Sequence, residues 1–326
     1  MIPIPDAIFL VVQCFGYILY IMMSICFLYK LITGNKHDSD TNTFLIHFIA
    51  NCVIDITQVC TVIFFQKFLH WMFLFEFLTK TESLRYIYAP LIYMAMLASV
   101  LGCTFTVINR YCALCYAVDF REKWTNNVSF CLIAFQIIFP IAAFSFNFFN
   151  RSTIIYVETF NFYLFTIPSY TVSMVNNIIF ATLIFLCTLT TILMNIIIFK
   201  KFSKIMENVS EKEKHKKHLM MIYMIITTIC MITLFVEQFA RFLFIQLKMY
   251  DAVYFTAFPL FWILPILTLA QPVTTLIMSK YMRQYFILFY FHNIIPKRVL
   301  PDEKEMNNTK SISDKKSKKP VSALVL

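Results

Sequence analysis

The chain of 326 residues is 60% hydrophobic and only 14% charged, and its formal net charge is +10. A soluble domain of this length needs a more polar surface, so the composition excludes an ordinary globular protein and indicates one embedded in a membrane. The basic residues lie in short segments and in the C-terminal tail rather than on one folded domain. The positive charge therefore predicts no nucleic-acid partner.

Apolar stretches recur along the chain at residues 7–29, 44–65, 86–107, 128–149, 172–199, 219–245 and 253–278. Each is about 20 residues or longer, the length of a helix that crosses the ~30 Å hydrocarbon layer. A helix is required because backbone polar groups cannot stay unpaired in lipid. The sequence therefore predicts an all-α membrane protein, a seven-transmembrane helix bundle that occupies residues 1–283.

Lys and Arg are divided unequally between the two ends of these helices. The side of the membrane that holds the N-terminus has few of them: Lys67, Lys80, Arg85, Arg151, Arg241 and Lys248. The others flank the helix ends on the opposite side or lie in the tail. Because basic residues collect on the cytoplasmic side of a membrane, the N-terminus is predicted outside and the C-terminus in the cytoplasm.

Two segments of different composition follow the seventh stretch. Residues 284–300 are rich in Tyr and Phe and include basic residues, which is typical of a segment that lies on the inner membrane interface. Residues 301–326 are polar and basic, which predicts a disordered cytoplasmic tail in contact with anionic membrane lipid. The lysine-rich segment 200–218 is short enough to extend the fifth and sixth helices into the cytoplasm.

Cysteines and glycosylation sequons are both interpreted through this topology. None of the ten cysteines lies in a predicted outer loop, so no extracellular disulfide is expected. Among the sequons, only Asn150, in Asn150-Arg151-Ser152, lies on the outer side where glycosylation takes place. We predict a glycosylation site there, although the nearby end of the fourth helix could block it.

A short motif closes the third apolar stretch: Asn109-Arg110-Tyr111, followed by Cys112-Ala113. It resembles the acidic-Arg-Tyr signature of G-protein-coupled receptors. That resemblance implies that Arg110 packs against neighbouring helices at rest and meets the G protein when active, a two-state element that a ligand can bias. Asn109 replaces the usual acid, so a proton-dependent switch is not implied. The structural alternative is an arginine that extends to the membrane interface.

The wider sequence around this motif is more specific. Asn-Arg-Tyr-Cys-Ala, an aromatic residue and a basic group that ends at Trp124 resemble nematode serpentine chemoreceptors of the class gamma superfamily, and class V within it. The resemblance extends over all seven helices, and Gln271-Pro272 stands where many receptors carry Asn-Pro. It implies a small external chemical as ligand, a heterotrimeric G protein as partner, and a plasma-membrane or ciliary location. It also allows homo- or hetero-oligomers with other receptors.

Polar residues deep in the predicted helices are costly and suggest function. Asp55 in the second helix, Ser99 in the third, and Gln271 with Pro272 in the seventh resemble the polar centre of rhodopsin-like receptors. A hydrated structural network is favoured over a sodium site because amide and carboxyl groups in lipid need partners whether or not an ion binds. No metal or cofactor is predicted.

The outer half of the third, fifth, sixth and seventh helices is the expected ligand pocket. The predicted ligand-binding residues are Tyr93, Met96, Asn176, Asn177, Glu237, Gln238, Arg241 and Trp262. Glu237 and Arg241 are four residues apart on one helix face and could pair. A ligand with a carboxylate or an amine could compete for either partner, and the alternative is a static ion pair.

Other functions are weaker interpretations. A transporter commonly shows two similar halves with interrupted helices, and no internal repeat is found. An intramembrane enzyme would need a group of acids, a nucleophile with a base, or metal ligands, and none is recognised, so no catalytic residue is predicted. A ligand-gated odorant channel of the insect type would place its N-terminus in the cytoplasm, against the charge distribution.

Overall fold

The computed structural model describes residues 4–33, 39–115, 124–158, 162–207, 211–278 and 280–291. The basic end of the motif, 116–123, lies outside the described residues. So do most of the predicted interfacial segment, 292–300, and all of the predicted disordered tail, 301–326.

Eight helices form the frame of the described chain. They are α1 (Ile4–Thr33), α2 (Ser39–Val62), α3 (Glu82–Cys115), α4 (Asn126–Phe144), α5 (Tyr170–Glu207), α6 (Glu211–Gln246), α7 (Ala257–Met278) and α8 (Lys280–Phe291), with shorter helices at Phe75–Lys80 and Tyr250–Phe255. Six spans in α1 to α6 are long and apolar enough to cross a membrane, and α7 supplies a seventh when it is counted together with α8. The predicted class, an all-α seven-transmembrane bundle, is confirmed.

Most helices extend beyond the apolar stretches that predicted them. In lipid, a helix pairs its own backbone polar groups. Once formed, it extends into the polar flanking residues until a helix-breaking residue ends it. Thus α3 continues to Cys115, which places Arg110 inside the helix rather than in a loop. Helices α5 and α6 reach Glu207 and Glu211, so the lysine-rich segment is helical on both sides of residues 208–210.

Three irregularities interrupt the predicted helices at their outer ends. A π-helical turn, Ile63–Lys67, follows α2, a 3₁₀ turn, Ser145–Phe149, follows α4, and the seventh predicted stretch is divided before α7. A π turn inserts one extra residue and rotates the side chains that follow it. The π turn places Gln66 at the outer cavity described below.

Helix α3 is the central helix of the bundle. It contacts α2, α4, α5, α6 and α7, and 72% of its membrane span is buried, against 22% for α1 and for α4. Such close packing requires a small residue, and Gly102 of α3 provides it. A Cβ atom at Gly102 would lie 2.6 Å from Asn51 Oδ1 and even closer to Gln136 Nε2.

A two-stranded hairpin joins α4 to α5, which the sequence analysis did not anticipate. Strands β1 (Thr153–Val157) and β2 (Phe162–Thr166) pair antiparallel, with Thr153 opposite Thr166 and Val157 opposite Phe162. Both strands are rich in β-branched and aromatic residues, which favour extended backbone. The hairpin is fastened to the start of α3, since Ser152 N donates to Arg85 O over 2.8 Å and Arg151 forms an ion pair with Glu82.

The chain divides into two compact units, and the second begins at Lys280 and contains α8. Helix α8 thus starts before residue 284, the predicted beginning of the interfacial segment. It is aromatic, and the ring of Tyr290 contacts the rings of Phe286 and Phe289. This composition suits a helix at a membrane surface.

We expect Gly102→Ala to destabilise the protein although alanine favours helices. The new methyl group would displace two amide groups held by hydrogen bonds, at a cost of about 1–3 kcal/mol, which exceeds the gain in helix propensity of about 0.5–1 kcal/mol. Thermal unfolding of the purified protein in detergent measures the difference.

Gly16→Ala is the matched control. Its Cβ would meet only the end of the flexible Leu269 side chain, 2.7 Å from Cδ1. This variant should unfold at or slightly above the native temperature. Equal effects of the two substitutions would contradict the assignment of Gly102 as the close-packing point.

Candidate functional site

A cavity of about 100 Å³, open at its mouth, lies among the outer ends of α3, α5, α6 and α7. The β2 strand closes one side, and Val62 and Gln66 close another at the end of α2. A cavity of roughly this size holds one organic molecule of a few heavy atoms. Its place matches the predicted ligand pocket.

Aromatic rings make up the wall shared by the hairpin and the helices. Tyr88 of α3 stacks on Phe165 of β2 at 4.8 Å between ring centroids, and Phe65 of the π turn meets both rings edge-on. The Tyr88 hydroxyl donates to the backbone oxygen of Phe165 and accepts from Gln66 Nε2. These contacts hold the hairpin against α3 and make it a fixed part of the cavity wall.

Five of the predicted ligand residues line this cavity: Tyr93, Met96, Asn177, Gln238 and Arg241. Tyr93 and Met96 are one turn apart on α3, and Gln238 and Arg241 are one turn apart on α6. Residues three or four positions apart on a helix share one face. This periodicity explains why residues chosen by helical spacing lie together on the cavity face.

The other three predicted ligand residues, Asn176, Glu237 and Trp262, do not line the cavity. Asn176 exchanges two hydrogen bonds with Asn147 of the 3₁₀ turn, at 2.8 and 2.7 Å. Glu237 is buried and accepts a hydrogen bond from Gln238. Trp262 stacks on Phe9 of α1 at 4.2 Å. Each of these side chains is occupied by a structural contact.

The expected pairing of Glu237 with Arg241 is not observed. Within the described residues, the two side chains form no ion pair within 4.0 Å. Helical spacing brings two residues onto one face but does not fix their rotamers. Here the carboxylate turns to Gln238 while Arg241 lines the cavity.

Several cavity residues were missed by the sequence analysis. They are Gln66, His70, Tyr88, Tyr254 and the strand β2. Gln66 and His70 lie beyond the predicted end of the second helix, and the π turn could not be read from composition. The high content of β-branched and aromatic residues in 153–157 and 162–166 was a usable compositional signal for the hairpin.

A polar network occupies the middle of the bundle. The Ser99 hydroxyl donates to Asp55 Oδ1 over 2.5 Å. The Tyr20 hydroxyl lies 3.4 Å from Asp55 Oδ2 and 3.3 Å from Gln271 Oε1. The structure thus brings the three predicted polar-core residues together and adds Tyr20 of α1 between them. Pro272 follows Gln271 within α7 and is itself buried.

Amide side chains extend this network to α4. Asn51 Nδ2 lies 3.2 Å from Gln271 Oε1 and 3.0 Å from the hydroxyl of Thr106, and Gln136 Nε2 donates to Asn51 Oδ1. Five helices, α1, α2, α3, α4 and α7, therefore share one chain of hydrogen bonds. Such a chain satisfies buried groups that lipid could not.

At the inner end of α3, Arg110 is buried against Tyr223 of α6. The guanidinium carbon lies 3.8 Å from the ring centroid, the geometry of a cation–π contact. Tyr111 packs beside a buried inner group that includes Val107 and Met224, and Asn109 is partly buried. Arg110 is thus a contact between α3 and α6 and not an arginine that extends to the interface.

The predicted glycosylation site has a restrained geometry. Asn150 Nδ2, the atom that would carry a glycan, donates to the backbone oxygen of Phe146 over 2.9 Å. Ser152, the hydroxyl residue of the sequon, is fully buried. A glycan at Asn150 would have to replace this hydrogen bond, and its presence stays a prediction.

All ten cysteines are unpaired, and among the described residues no group of His, Cys, Asp or Glu could hold a metal ion. The outer hairpin is therefore held by the hydrogen bonds, ring contacts and ion pair described above. The described chain offers a cavity at one end, a polar network in the middle and a buried arginine at the other end.

A family model described as Srg family chemoreceptor matches residues 10–286, which include the cavity, the network and Arg110. The chain belongs to the Srg chemoreceptor family. The predicted resemblance to nematode serpentine chemoreceptors is thereby confirmed, while neither the class gamma superfamily nor class V is confirmed by the match. No curated protein matches this Srg-family chain.

Asn176 and Asn177 are adjacent but should respond differently to substitution. We expect Asn176→Ala to cost about 1–3 kcal/mol because it leaves the fully buried Asn147 amide without its partner. Asn177→Ala removes only a contact to the Ser173 backbone within α5 and should change stability less.

Thermal unfolding measures these effects. The comparison also includes Asn147→Ala and the double variant that carries Asn147→Ala and Asn176→Ala. The double variant should lose less stability than the sum of the single variants because the two residues share one interaction. Additive losses would show that the paired amides act independently.

Proposed function

We propose that this receptor binds a small external chemical in the outer cavity and activates a heterotrimeric G protein through its inner end. The observation that carries the proposal is that α3 contains residues of all three sites. Tyr93 and Met96 line the cavity, Ser99 belongs to the polar network, and Arg110 forms the inner contact with α6.

Helix α6 supports the same proposal as the second element that connects the two ends. Its outer part contributes Gln238 and Arg241 to the cavity, and its inner part contributes Tyr223 to Arg110. A ligand that prefers one position of the outer part of α6 changes the equilibrium of the inner contact, because the helix moves as a packed unit. Separation of Tyr223 from Arg110 would open a gap between α3 and α6 at the inner end of the bundle.

The seam between α5 and α6 suits such a movement. Asn195 Nδ2 lies 2.6 Å from the hydroxyl of Thr228 and 3.3 Å from the backbone oxygen of Met224, and the Thr188 hydroxyl donates to the backbone oxygen of Met231. Directional contacts of this kind favour a few discrete arrangements over a continuous slide. In our proposal, α5 and α6 shift together to admit the G protein.

The remaining parts of the proposal concern location and partners. We place the receptor in the plasma membrane, with a sensory cilium as the site where an external chemical is met. Its inner surface is in contact with anionic lipid, and oligomers with other receptors are compatible with this scheme. The protein acts as a receptor and not as an enzyme.

The contact between Arg110 and Tyr223 should restrain basal activity. We expect Arg110→Ala to abolish ligand-stimulated G-protein activation because the group that meets the G protein is lost. Tyr223→Leu removes a cation–π contact worth about 2 kcal/mol or less, so basal activation should rise by up to about 30-fold. A G-protein activation assay in cells, with pooled water-soluble and volatile chemicals as stimuli, measures both.

Tyr223→Phe is the control for this experiment, because it keeps the ring that lies against the guanidinium. It should retain native basal activity. Surface levels of all variants are matched by an N-terminal epitope tag. Unchanged stimulated activity in Arg110→Ala at equal surface level would argue against Arg110 as the switch.

The same tag tests the topology and separates a receptor from an odorant-gated channel. With the N-terminus outside, an antibody should label the tag on intact cells. Labelling only after permeabilisation, in cells whose protein has reached the plasma membrane, would invert the topology and favour the channel.

A further inference from the structure

We infer that the outer cavity selects an organic acid that also carries a hydrogen-bond donor, with Arg241 as the group that binds the acid. This inference rests on the proposed function only in taking the cavity as the ligand site. It goes further by naming the chemical class of the ligand.

The charge of the cavity wall is the first reason. Arg241 and His70 line the cavity, and no Asp or Glu lines it among the described residues. The residues between the hairpin strands include one acid, Glu158, whose side chain is exposed and does not line the cavity. A ligand amine would therefore meet positive charge and no carboxylate, whereas a ligand carboxylate would meet the fork of a guanidinium, which binds it with two parallel hydrogen bonds.

The state of Arg241 itself is the second reason. Its Nε atom is buried and has no hydrogen-bond partner in the described part of the chain, and Arg241 forms no ion pair there. A buried guanidinium nitrogen without a hydrogen-bond partner is costly. A carboxylate from the ligand would supply the missing partner.

The nearby acid, Glu237, interacts with the charge of Arg241 but does not supply this hydrogen bond. Glu237 lies one turn before Arg241 on α6, and it is not part of the cavity wall. Its carboxylate accepts the hydrogen bond of Gln238 Nε2 instead. The carbonyl oxygen of Gln238 accepts no hydrogen bond from the described residues.

Two acceptor oxygens define the second group of the ligand. Gln238 Oε1 and Asn177 Oδ1 are both buried without a hydrogen-bond partner among the described residues, and both residues line the cavity. Their amide nitrogens already donate, to Glu237 and to the Ser173 backbone. A hydroxyl or N–H group on the ligand would satisfy an oxygen that is otherwise costly to bury.

The rest of the wall is apolar and sets the body of the ligand. Ile92, Met96, Phe180 and Leu264 line the cavity beside the aromatic wall. Burial of an alkyl or ring segment against these side chains is favourable. The three features together describe an acid with an apolar body and a hydroxyl or amide group.

The experiment measures binding to the purified receptor in nanodiscs, without any G protein. The probes are hydroxylated carboxylic acids of about three to six carbon atoms, sized for a small cavity. Each acid is compared with its methyl ester and with the amine of equal length. Binding is followed by the shift in unfolding temperature and by calorimetric titration.

We expect at least one acid to bind at least about tenfold more tightly than its ester and its amine. Arg241→Gln should weaken binding of that acid about ten- to hundredfold, as expected for the loss of a charge-assisted hydrogen-bonded pair. Binding of the ester should stay unchanged. Glu237→Gln should not weaken binding of the acid. It removes only a negative charge of the same sign as the ligand carboxylate, and Glu237 does not line the cavity.

Arg85→Gln is the matched control, since it removes the same charge at the outer side of α3 but outside the cavity. It should bind the acid as the native chain does. Equal weakening by Arg85→Gln and Arg241→Gln would overturn the inference, because it would show a general field effect. A panel in which no acid binds more tightly than its ester, or in which nothing binds, also overturns it.

The two proposals fail separately in this design. Acid binding that depends on Arg241, with no G-protein activation by the same acid in cells, supports the ligand class and contradicts the coupling. Activation by an ester or an amine that is unaffected in Arg241→Gln supports the receptor and overturns the ligand class.

Discussion

Buried amide and carboxyl groups that can be stabilised only by one another are the constraint on which this structure depends. Asn51, Gln136 and Gln271 lie in separate helices, and a lipid surrounding offers none of them a partner. Their mutual hydrogen bonds fix the rotation of each helix, because a turn of the helix would leave a polar group in apolar surroundings. Apolar packing alone would permit many rotations, since lipid tails are as apolar as the side chains.

Helix α3 benefits most from that constraint. Gly102 lets Asn51 and Gln136 approach its backbone, and Ser99, one turn before Gly102, meets Asp55. The position of α3 is thus set near its middle, and its two ends project into the cavity and onto α6. This arrangement explains how one helix contributes to the cavity wall and to the inner arginine contact without any flexible connection between them.

The parts that the sequence predicted are those governed by helical periodicity and by the cost of polar groups in lipid. Seven apolar stretches, the meeting of Asp55 with Ser99, and the cavity face of α6 all follow from these two rules. The hairpin and the π turn depend on tertiary contacts, and no rule of spacing reveals them. Asn176 and Asn177 are equally polar in sequence, and only the fold shows that one faces Asn147 and the other faces the cavity.

The fastening of the hairpin has a consequence for how the receptor meets its surroundings. One ion pair, two backbone-oriented hydrogen bonds and stacked rings hold it to α3, and none of the ten cysteines forms a disulfide. The attachment of the hairpin to α3 is therefore noncovalent, so it does not depend on the redox state of the surroundings, whereas a disulfide-linked hairpin would come loose under reducing conditions.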